Sequence, residues 1–144
     1  MKLSYQRLHP NAIEPQRMSE HASGYDLFAC LDQACILAPG QREAIATGIA
    51  LAIPEGYEAQ IRPRSGLAIK CGLGVLNSPG TIDADYRGEI KVILVNLGSQ
   101  DVIIEPGMRI AQMVFHKIEV FNLQECDSLK ETLRNAGGFG HTGT

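Results

Sequence analysis

Closely spaced turn signals are the feature that most limits the fold of this chain. Turn pairs such as Pro39-Gly40 and Pro106-Gly107 recur every ~8–15 residues, with short strand-favouring segments between them. Residues 57–62 alternate apolar and polar side chains, and residues 45–53 place their larger side chains on one face. A period of two residues is typical of a strand with one face toward a core. The pattern therefore predicts an all-β sandwich or barrel.

Further strands and one short helix complete the predicted elements. The strands are expected at residues 3–8, 22–29, 73–76, 90–95, 102–104 and 108–118. Ser65 is a favoured N-cap residue and Gly72 favours a helix end, so a helix of about two turns is predicted between them. Residues 79–95 are expected to form a β-hairpin backed by a buried strand.

Size and charge exclude several classes of protein. The chain has 144 residues, 44% of them hydrophobic, which suits one domain with a substantial core. A net charge of −3 gives no general basic character, so no nucleic-acid partner is expected. No apolar run is long enough to span a membrane, and residues 1–7 lack the apolar core of a secretion signal. The scattered cysteines and histidines favour free thiols in a reducing, cytoplasmic compartment and argue against a structural metal.

Residues 79–95 carry the most suggestive polar side chains. Asp83 and Asp85 lie two residues apart and Tyr86 follows, all before an apolar run. A carboxylate on a loop that a rigid core supports suits general-base catalysis. Asp is also common in turns, so two solvated aspartates would give the same pattern.

Two other segments have the chemistry of an anion site. Arg64-Ser65-Gly66 stands at the predicted helix start, where free backbone amides and an arginine favour phosphate oxygens. A capped helix with a surface arginine is the structural alternative. The chain lacks the G-x-x-x-x-G-K-[ST] pattern of P-loop proteins. The tail around residues 134–143 combines Arg134 and Phe139 with four glycines, which is typical of a frayed end or of a lid that orders on a ligand.

Two amides are candidates for ligand contacts. Asn77 precedes a Pro-Gly turn, and its side chain offers the donor and acceptor that match a pyrimidine edge. An ordinary turn asparagine is the alternative. Gln112 interrupts an apolar strand and therefore needs a structural partner, a ligand or a water.

Five motifs in order resemble the homotrimeric dUTP pyrophosphatase (dUTPase) family and span nearly the whole chain. The motifs are Ser23-Gly24-Tyr25-Asp26-Leu27, Pro63-Arg64-Ser65-Gly66-Leu67-Ala68, residues 80–88 (GTIDADYRG), Gly107-Met108-Arg109-Ile110-Ala111-Gln112, and the tail at residues 134–143. The resemblance implies a jelly-roll-like β-sandwich or distorted barrel at residues 1–126 and a flexible lid at residues 127–144. It also implies a homotrimer with sites at subunit interfaces. Such an enzyme hydrolyses dUTP to dUMP and pyrophosphate with Mg²⁺, which keeps uracil out of DNA and supplies dUMP for thymidylate synthesis.

The resemblance also assigns roles to single residues. Asp83 is expected to activate the water that attacks the α-phosphorus, and Tyr86 to pack on deoxyribose. Asp26 is expected to reach Mg²⁺ only through water. Phosphate contacts are expected from Arg64, Ser65 and Gly66. Gln112 is expected to bond a phosphate oxygen or an ordered water. Uracil contacts are expected from Asn77 and the backbone of Thr81, Ile82 and Lys91. A neighbouring subunit's tail is expected to add Arg134 on the phosphates and Phe139 on the base.

The tail departs from the family pattern at two positions. Asn135 stands where the family has glycine, and His141 stands where it has serine. Asn tolerates the left-handed backbone, so the first change is mild. The second puts the strength of lid closure in question. Two rivals remain: the related dCTP deaminase, in which a glutamate is expected in the hairpin region, and a non-catalytic nucleotide-binding trimer.

Overall fold

The computed structural model describes residues 2–138, which form eleven strands and one helix. In chain order these are β1 (Ser4–Arg7), β2 (Tyr25–Phe28), β3 (Cys35–Leu37), β4 (Arg42–Ala46), β5 (Ile49–Ala52), β6 (Tyr57–Arg62), α1 (Ser65–Cys71), β7 (Leu73–Val75), β8 (Gly80–Ile82), β9 (Lys91–Asn96), β10 (Val102–Ile104) and β11 (Arg109–Lys117). The predicted all-β class with one short helix is confirmed. No helix among the described residues has the length and apolar character to cross a membrane.

All the described ladders are antiparallel and form four sheets. The largest has the strand order β2-β11-β6-β8, the next has β4-β9-β7, and β1-β5 and β10-β3 form two-stranded sheets. Side chains from every sheet meet in one buried cluster, to which β6 contributes Ile61, β9 contributes Leu94 and β10 contributes Ile104. These sheets therefore pack face to face around one core. Within residues 2–138 no sheet closes on itself.

The alternating segment at residues 45–53 is two strands, so the expectation of one continuous strand was wrong. Gly48 separates β4 from β5 with a φ of +67°, a value that L side chains rarely adopt. A Cβ at Gly48 would lie 2.7 Å from the Cβ of Ala12 and 2.9 Å from the Sγ of Cys30. Alternation continues through Thr47 and Gly48, which is why the pattern hides the break.

The predicted hairpin at residues 79–95 was also wrong. β8 pairs with β6, whereas β9 pairs with β4 and β7, so residues 83–90 pass from one sheet to another. The helix begins at Ser65 itself, and Arg64 is the N-cap residue without a side-chain capping bond. Gly72 ends the helix in the left-handed conformation as predicted.

Candidate functional site

A cavity of about 630 Å³ lies between the β8 edge and the start of β9. Six of the residues proposed from the sequence line it: Asn77, Thr81, Ile82, Asp83, Tyr86 and Lys91. Apolar side chains, including Ile61, Val75 and Val92, complete much of its wall. A concave, largely apolar space with a few polar groups is typical of a small-molecule site.

Strand β8, which borders this cavity, is placed by strand pairing and by a glycine. β8 pairs with β6 through Gly80 and Ile61, and β8 is the last strand of its sheet. An end strand leaves one row of backbone N–H and C=O groups without a ladder partner. A Cβ at Gly80 would lie 3.1 Å from the Nδ2 atom of Asn77, so glycine lets that amide approach the strand.

One turn carries both Asp83 and Tyr86. The backbone N–H of Tyr86 donates to the carbonyl oxygen of Asp83 at 3.2 Å, and Arg87 Nη1 donates to the carbonyl of Ala84 at 2.6 Å. The Tyr86 hydroxyl donates to the carbonyl of Glu89 at 3.0 Å. The Asp83 side chain is exposed and has no hydrogen-bond partner among the described residues. That carboxylate is therefore free to accept a proton from a water.

A second group of charges lies around Asp26. Its carboxylate is only 12% exposed, and its Oδ2 atom lies 3.4 Å from Arg64 Nε and 3.3 Å from Arg109 Nη1. Arg64 Nη1 also donates to the carbonyl of Arg109 at 3.0 Å. Two guanidinium groups thus face one carboxylate, which leaves positive charge for an anionic ligand.

Gln112 lies on the same sheet as this group. Its register partners are Asp26 on β2 and Arg62 on β6, and its Nε2 atom donates to the carbonyl of Pro63 at 3.0 Å. A Cβ at Gly24 would lie 2.7 Å from the Oε1 atom of Gln112, so the glycine makes room for the amide. The polar partner that the sequence predicted for Gln112 is therefore at least partly structural.

Ser65 and Gly66 form the exposed first turn of α1, directly after Arg64. No acidic side chain lies in this turn, and a Cβ at Gly66 would meet no atom within 4 Å. The first amides of a helix have no acceptor within the helix. This turn therefore offers open N–H groups next to the two arginines.

The described residues do not bring the whole predicted site together. No side-chain hydrogen bond or ion pair between residues 2 and 138 joins the cavity residues to the Asp26 group. Arg134 lies apart in the tail, where its Nε atom donates to the carbonyl of Gly137 at 2.7 Å. Phe139 lies outside the described residues.

The donor set around Asp26 limits how a metal binds. Among residues 2–138 no three His, Cys, Asp or Glu side chains cluster at metal-binding distances. Because two guanidinium groups occupy Oδ2 of Asp26, direct coordination by that atom would place a cation against two positive charges. Contact through a water on the remaining oxygen fits this arrangement.

Two residues near the site escaped the sequence reasoning. Arg109 belongs to the fourth motif, but only the fold shows that it shares Asp26 with Arg64. Glu89 lines the cavity and contacts Lys91 at 3.8 Å between Oε2 and Nζ.

Burial, together with the charges of Glu89 and Asp32, raises the pKa of the Cys30 thiol. Cys30 therefore stays a neutral thiol rather than a nucleophile.

Comparisons with known proteins agree with this geometry. The family model described as dUTPase matches residues 11–143. The chain is 52% identical over 141 residues to the deoxyuridine 5'-triphosphate nucleotidohydrolase of Syntrophotalea carbinolica. The alignment covers 98% of this chain and 96% of the relative. The chain is 58% identical over 129 residues to the enzyme of the same name from Rickettsia felis, covering 90% of this chain and 87% of the relative.

Solved structures show the same architecture. A mutant dUTPase of Staphylococcus bacteriophage 80alpha with dUpNHpp superposes with a TM-score of 0.90 at 27% identity, over 99% of each chain. A mutant dUTPase from phage phi11 of S. aureus, which coordinates a structural Mg(II) ion, superposes with a TM-score of 0.81 at 25% identity. That alignment covers 89% of this chain and 98% of the phage protein. The fold is the jelly-roll β-sandwich of these structures.

Proposed function

The chain belongs to the dUTPase family, and on this premise we propose that it hydrolyses dUTP to dUMP and pyrophosphate. The observation that carries the mechanism is the cavity that unites an amide, a carboxylate and an aromatic ring: Asn77, Asp83 and Tyr86. Together they supply a base-reading group, a general base and a surface for a sugar.

The cavity suits a deoxyuridine. Its volume of about 630 Å³ falls in the range of small-molecule sites. The Asn77 amide and the open backbone edge at Thr81 and Ile82, with the backbone of Lys91, would pair with the donors and acceptors of uracil. The Tyr86 ring, 45% exposed at the rim, would pack on deoxyribose and leave no room for a 2′-hydroxyl.

Asp83 acts as the general base in this proposal. Its carboxylate accepts a proton from water while the water oxygen forms a bond to the α-phosphorus. The bond from the α-phosphorus to the bridging oxygen breaks, and pyrophosphate leaves. General-base catalysis by a positioned carboxylate contributes ~10²–10⁴-fold to such reactions. The Asp83 side chain is exposed and has no hydrogen-bond partner between residues 2 and 138, which supports this role.

The phosphates would lie against the Asp26 group. Arg64 supplies charge-assisted hydrogen bonds, and the α1 turn at Ser65 and Gly66 supplies a hydroxyl and open amides. Gln112 would bond a phosphate oxygen or an ordered water. Mg²⁺, reached by Asp26 through water, would neutralise the charge on the departing pyrophosphate. A tail carrying Arg134 and Phe139 would close over the phosphates and base.

A homotrimer would complete the site. The cavity and the Asp26 group have no described side-chain link within one chain, so a neighbouring subunit is the simplest source of the missing half. Residues 1–126 would then form the body, and residues 127–144 would form a lid donated to another subunit. The free thiols of all four cysteines fit a cytoplasmic enzyme.

Pyrophosphate release from a panel of nucleoside triphosphates, with and without Mg²⁺, tests the proposal. We expect dUTP to be hydrolysed and dCTP, dTTP and UTP to be poor substrates. Ammonia release from dCTP is measured in parallel. Deamination of dCTP without hydrolysis of dUTP, or binding of dUTP without turnover, would overturn the proposed function.

A further inference from the structure

Glu89 joins the nucleoside cavity to the connection between β4 and β5. Its Oε1 atom accepts a hydrogen bond from the backbone N–H of Gly48 at 2.9 Å. The side chain is 27% exposed, and its Oε2 atom lies 3.8 Å from Lys91 Nζ. One carboxylate thus contacts both the strand break at Gly48 and the start of β9.

The Gly48 end of this link is fixed. Gly48 is buried, its φ is +67°, and Ala12 and Cys30 occupy the space that a Cβ would need. A buried backbone N–H needs an acceptor, and Glu89 Oε1 is its acceptor among the described residues. The carboxylate is therefore attached to a point of the fold that cannot shift easily.

The neighbouring backbone is bound to the same connection. The N–H of Ile90 donates to the carbonyl of Ile49 at 2.8 Å, and the Thr47 hydroxyl donates to the carbonyl of Ile90 at 2.6 Å. These bonds hold residue 90 whatever stands at position 89. The carbonyl of Glu89 shares a planar peptide with the Ile90 N–H and is held with it. On the cavity side, the Cα of Glu89 and the backbone at Gly88 therefore depend on the Glu89 side chain for anchoring.

The other end of the link is Tyr86. Its hydroxyl donates to the backbone carbonyl of Glu89 at 3.0 Å. Its ring packs over Gly88, where a Cβ would lie 2.6 Å from the tyrosine Cζ atom. The ring position therefore follows the backbone at residues 88 and 89.

We infer that Glu89 is a positioning residue for the nucleoside cavity, which holds the Tyr86 ring in place by anchoring its own backbone to Gly48. The inference rests on the proposed function, since the Tyr86 ring is proposed to exclude the 2′-hydroxyl. The hydrogen bond to Gly48 carries the effect, because it needs a side chain of the length of Glu. The contact with Lys91 adds little, since the Lys91 side chain is 55% exposed.

Two conservative variants separate length from charge. Glu89→Asp keeps the charge but is one methylene shorter and cannot reach Gly48. Glu89→Gln loses the charge but keeps an oxygen acceptor at the same position. Glu43→Ala is the matched control, because Glu43 is an exposed residue of β4 with no polar side-chain contact among residues 2–138.

The readouts are kcat and KM for dUTP and UTP, together with the affinity for a non-hydrolysable dUTP analogue. A misplacement of about 1 Å costs up to ~10²-fold. We expect Glu89→Asp to raise KM for dUTP and to lower the preference for dUTP over UTP by roughly ten- to a hundredfold. Glu89→Gln should stay within about fivefold of the wild type, the size of an exposed ion pair. The control should match the wild type.

A purely structural role for Glu89 would lower the melting temperature of Glu89→Asp without moving the dUTP-to-UTP preference, and that result would overturn the inference. Greater damage in Glu89→Gln than in Glu89→Asp would also overturn it, since charge rather than length would then matter. Failure of the wild-type enzyme to hydrolyse dUTP would instead reject the proposed function. The analogue affinities of the two variants would still compare the cavity in that case.

Discussion

Replacing Asp83 by Asn isolates the proposed general base. The substitution keeps the size and hydrogen-bonding shape of the side chain and removes the basic carboxylate. Asp83 is exposed, and its side chain has no described partner, so no buried group is left unpaired. Exposed substitutions of this kind change the free energy of unfolding by about 0.5 kcal/mol or less.

The expected effect on catalysis is far larger than the effect on folding. Loss of a general base lowers kcat by ~10²–10⁴-fold, which corresponds to about 2.7–5.4 kcal/mol of activation free energy. A change of 0.5 kcal/mol in stability leaves a protein of ordinary stability almost wholly folded. A fall in kcat of this size therefore reports chemistry rather than unfolding.

Asp85→Asn is the matched control for this experiment. Asp85 is an exposed carboxylate in the same turn, two residues away, and it has no proposed role. Single-turnover pyrophosphate release gives the chemical step, and equilibrium binding of a dUTP analogue gives the affinity. We expect Asp83→Asn to bind nearly as well as the wild type and Asp85→Asn to be fully active. Full kcat in Asp83→Asn would remove this residue from the mechanism.

Three further predictions concern selectivity, the tail and a half-buried thiol. Cytosine should leave hydrogen-bonding groups of the cavity unpaired, at a cost of about 1–3 kcal/mol each. The thymine methyl should clash with the backbone. A kcat/KM for dTTP comparable to that for dUTP would therefore contradict the cavity model. Deleting residues 134–144 should leave the body folded but greatly lower kcat. Mixing such chains with full-length Asp83→Asn chains should restore activity. No recovered activity in mixed trimers confirmed by mass would mean that each tail closes its own subunit's site. Burial and two nearby carboxylates raise the pKa of Cys30, so iodoacetamide at neutral pH should modify it more slowly than exposed Cys126, and equal rates would refute this. The pKa of this thiol is higher in the folded state than its ordinary value of 9.0, so its contribution to stability is fully present below pH 9.0. That contribution falls as pH rises through the folded-state pKa. Urea unfolding at a series of pH values measures the fall.

Strands with strong local patterns were predicted well, and weakly patterned ones were not. β6 and β10 have the predicted bounds, because apolar alternation and flanking turns define them. β3 has only three residues and follows a polar segment, so nothing local marks it; its pairing with β10 forms it. Pairing also explains the failed hairpin, since β8 and β9 find better partners in separate sheets.

The cavity was predictable because one short stretch of chain builds most of it. Asn77 to Lys91 supply all six predicted residues that line it, and four of these belong to the third motif: Thr81, Ile82, Asp83 and Tyr86. The partners of these residues were less predictable. Glu89 reaches Gly48 across 41 positions, and Arg109 reaches Asp26 across 83 positions. No local pattern encodes contacts of that separation.

The Asp26 group shows why motif order alone does not give geometry. Its members come from three motifs on β2, β11 and the segment before α1, and strand pairing sets their spacing: Gln112 lies opposite Asp26 on one side and Arg62 on the other. A slip of one residue in either ladder would turn Gln112 to the other face of the sheet and away from its partner Pro63. The core prevents such a slip, because Ile110, Ala111 and Met113 are buried against it. The buried apolar residues of β11 thus fix where the polar side chains of the Asp26 group stand, as Gly80 and Gly88 make room for Asn77 and Tyr86 at the cavity.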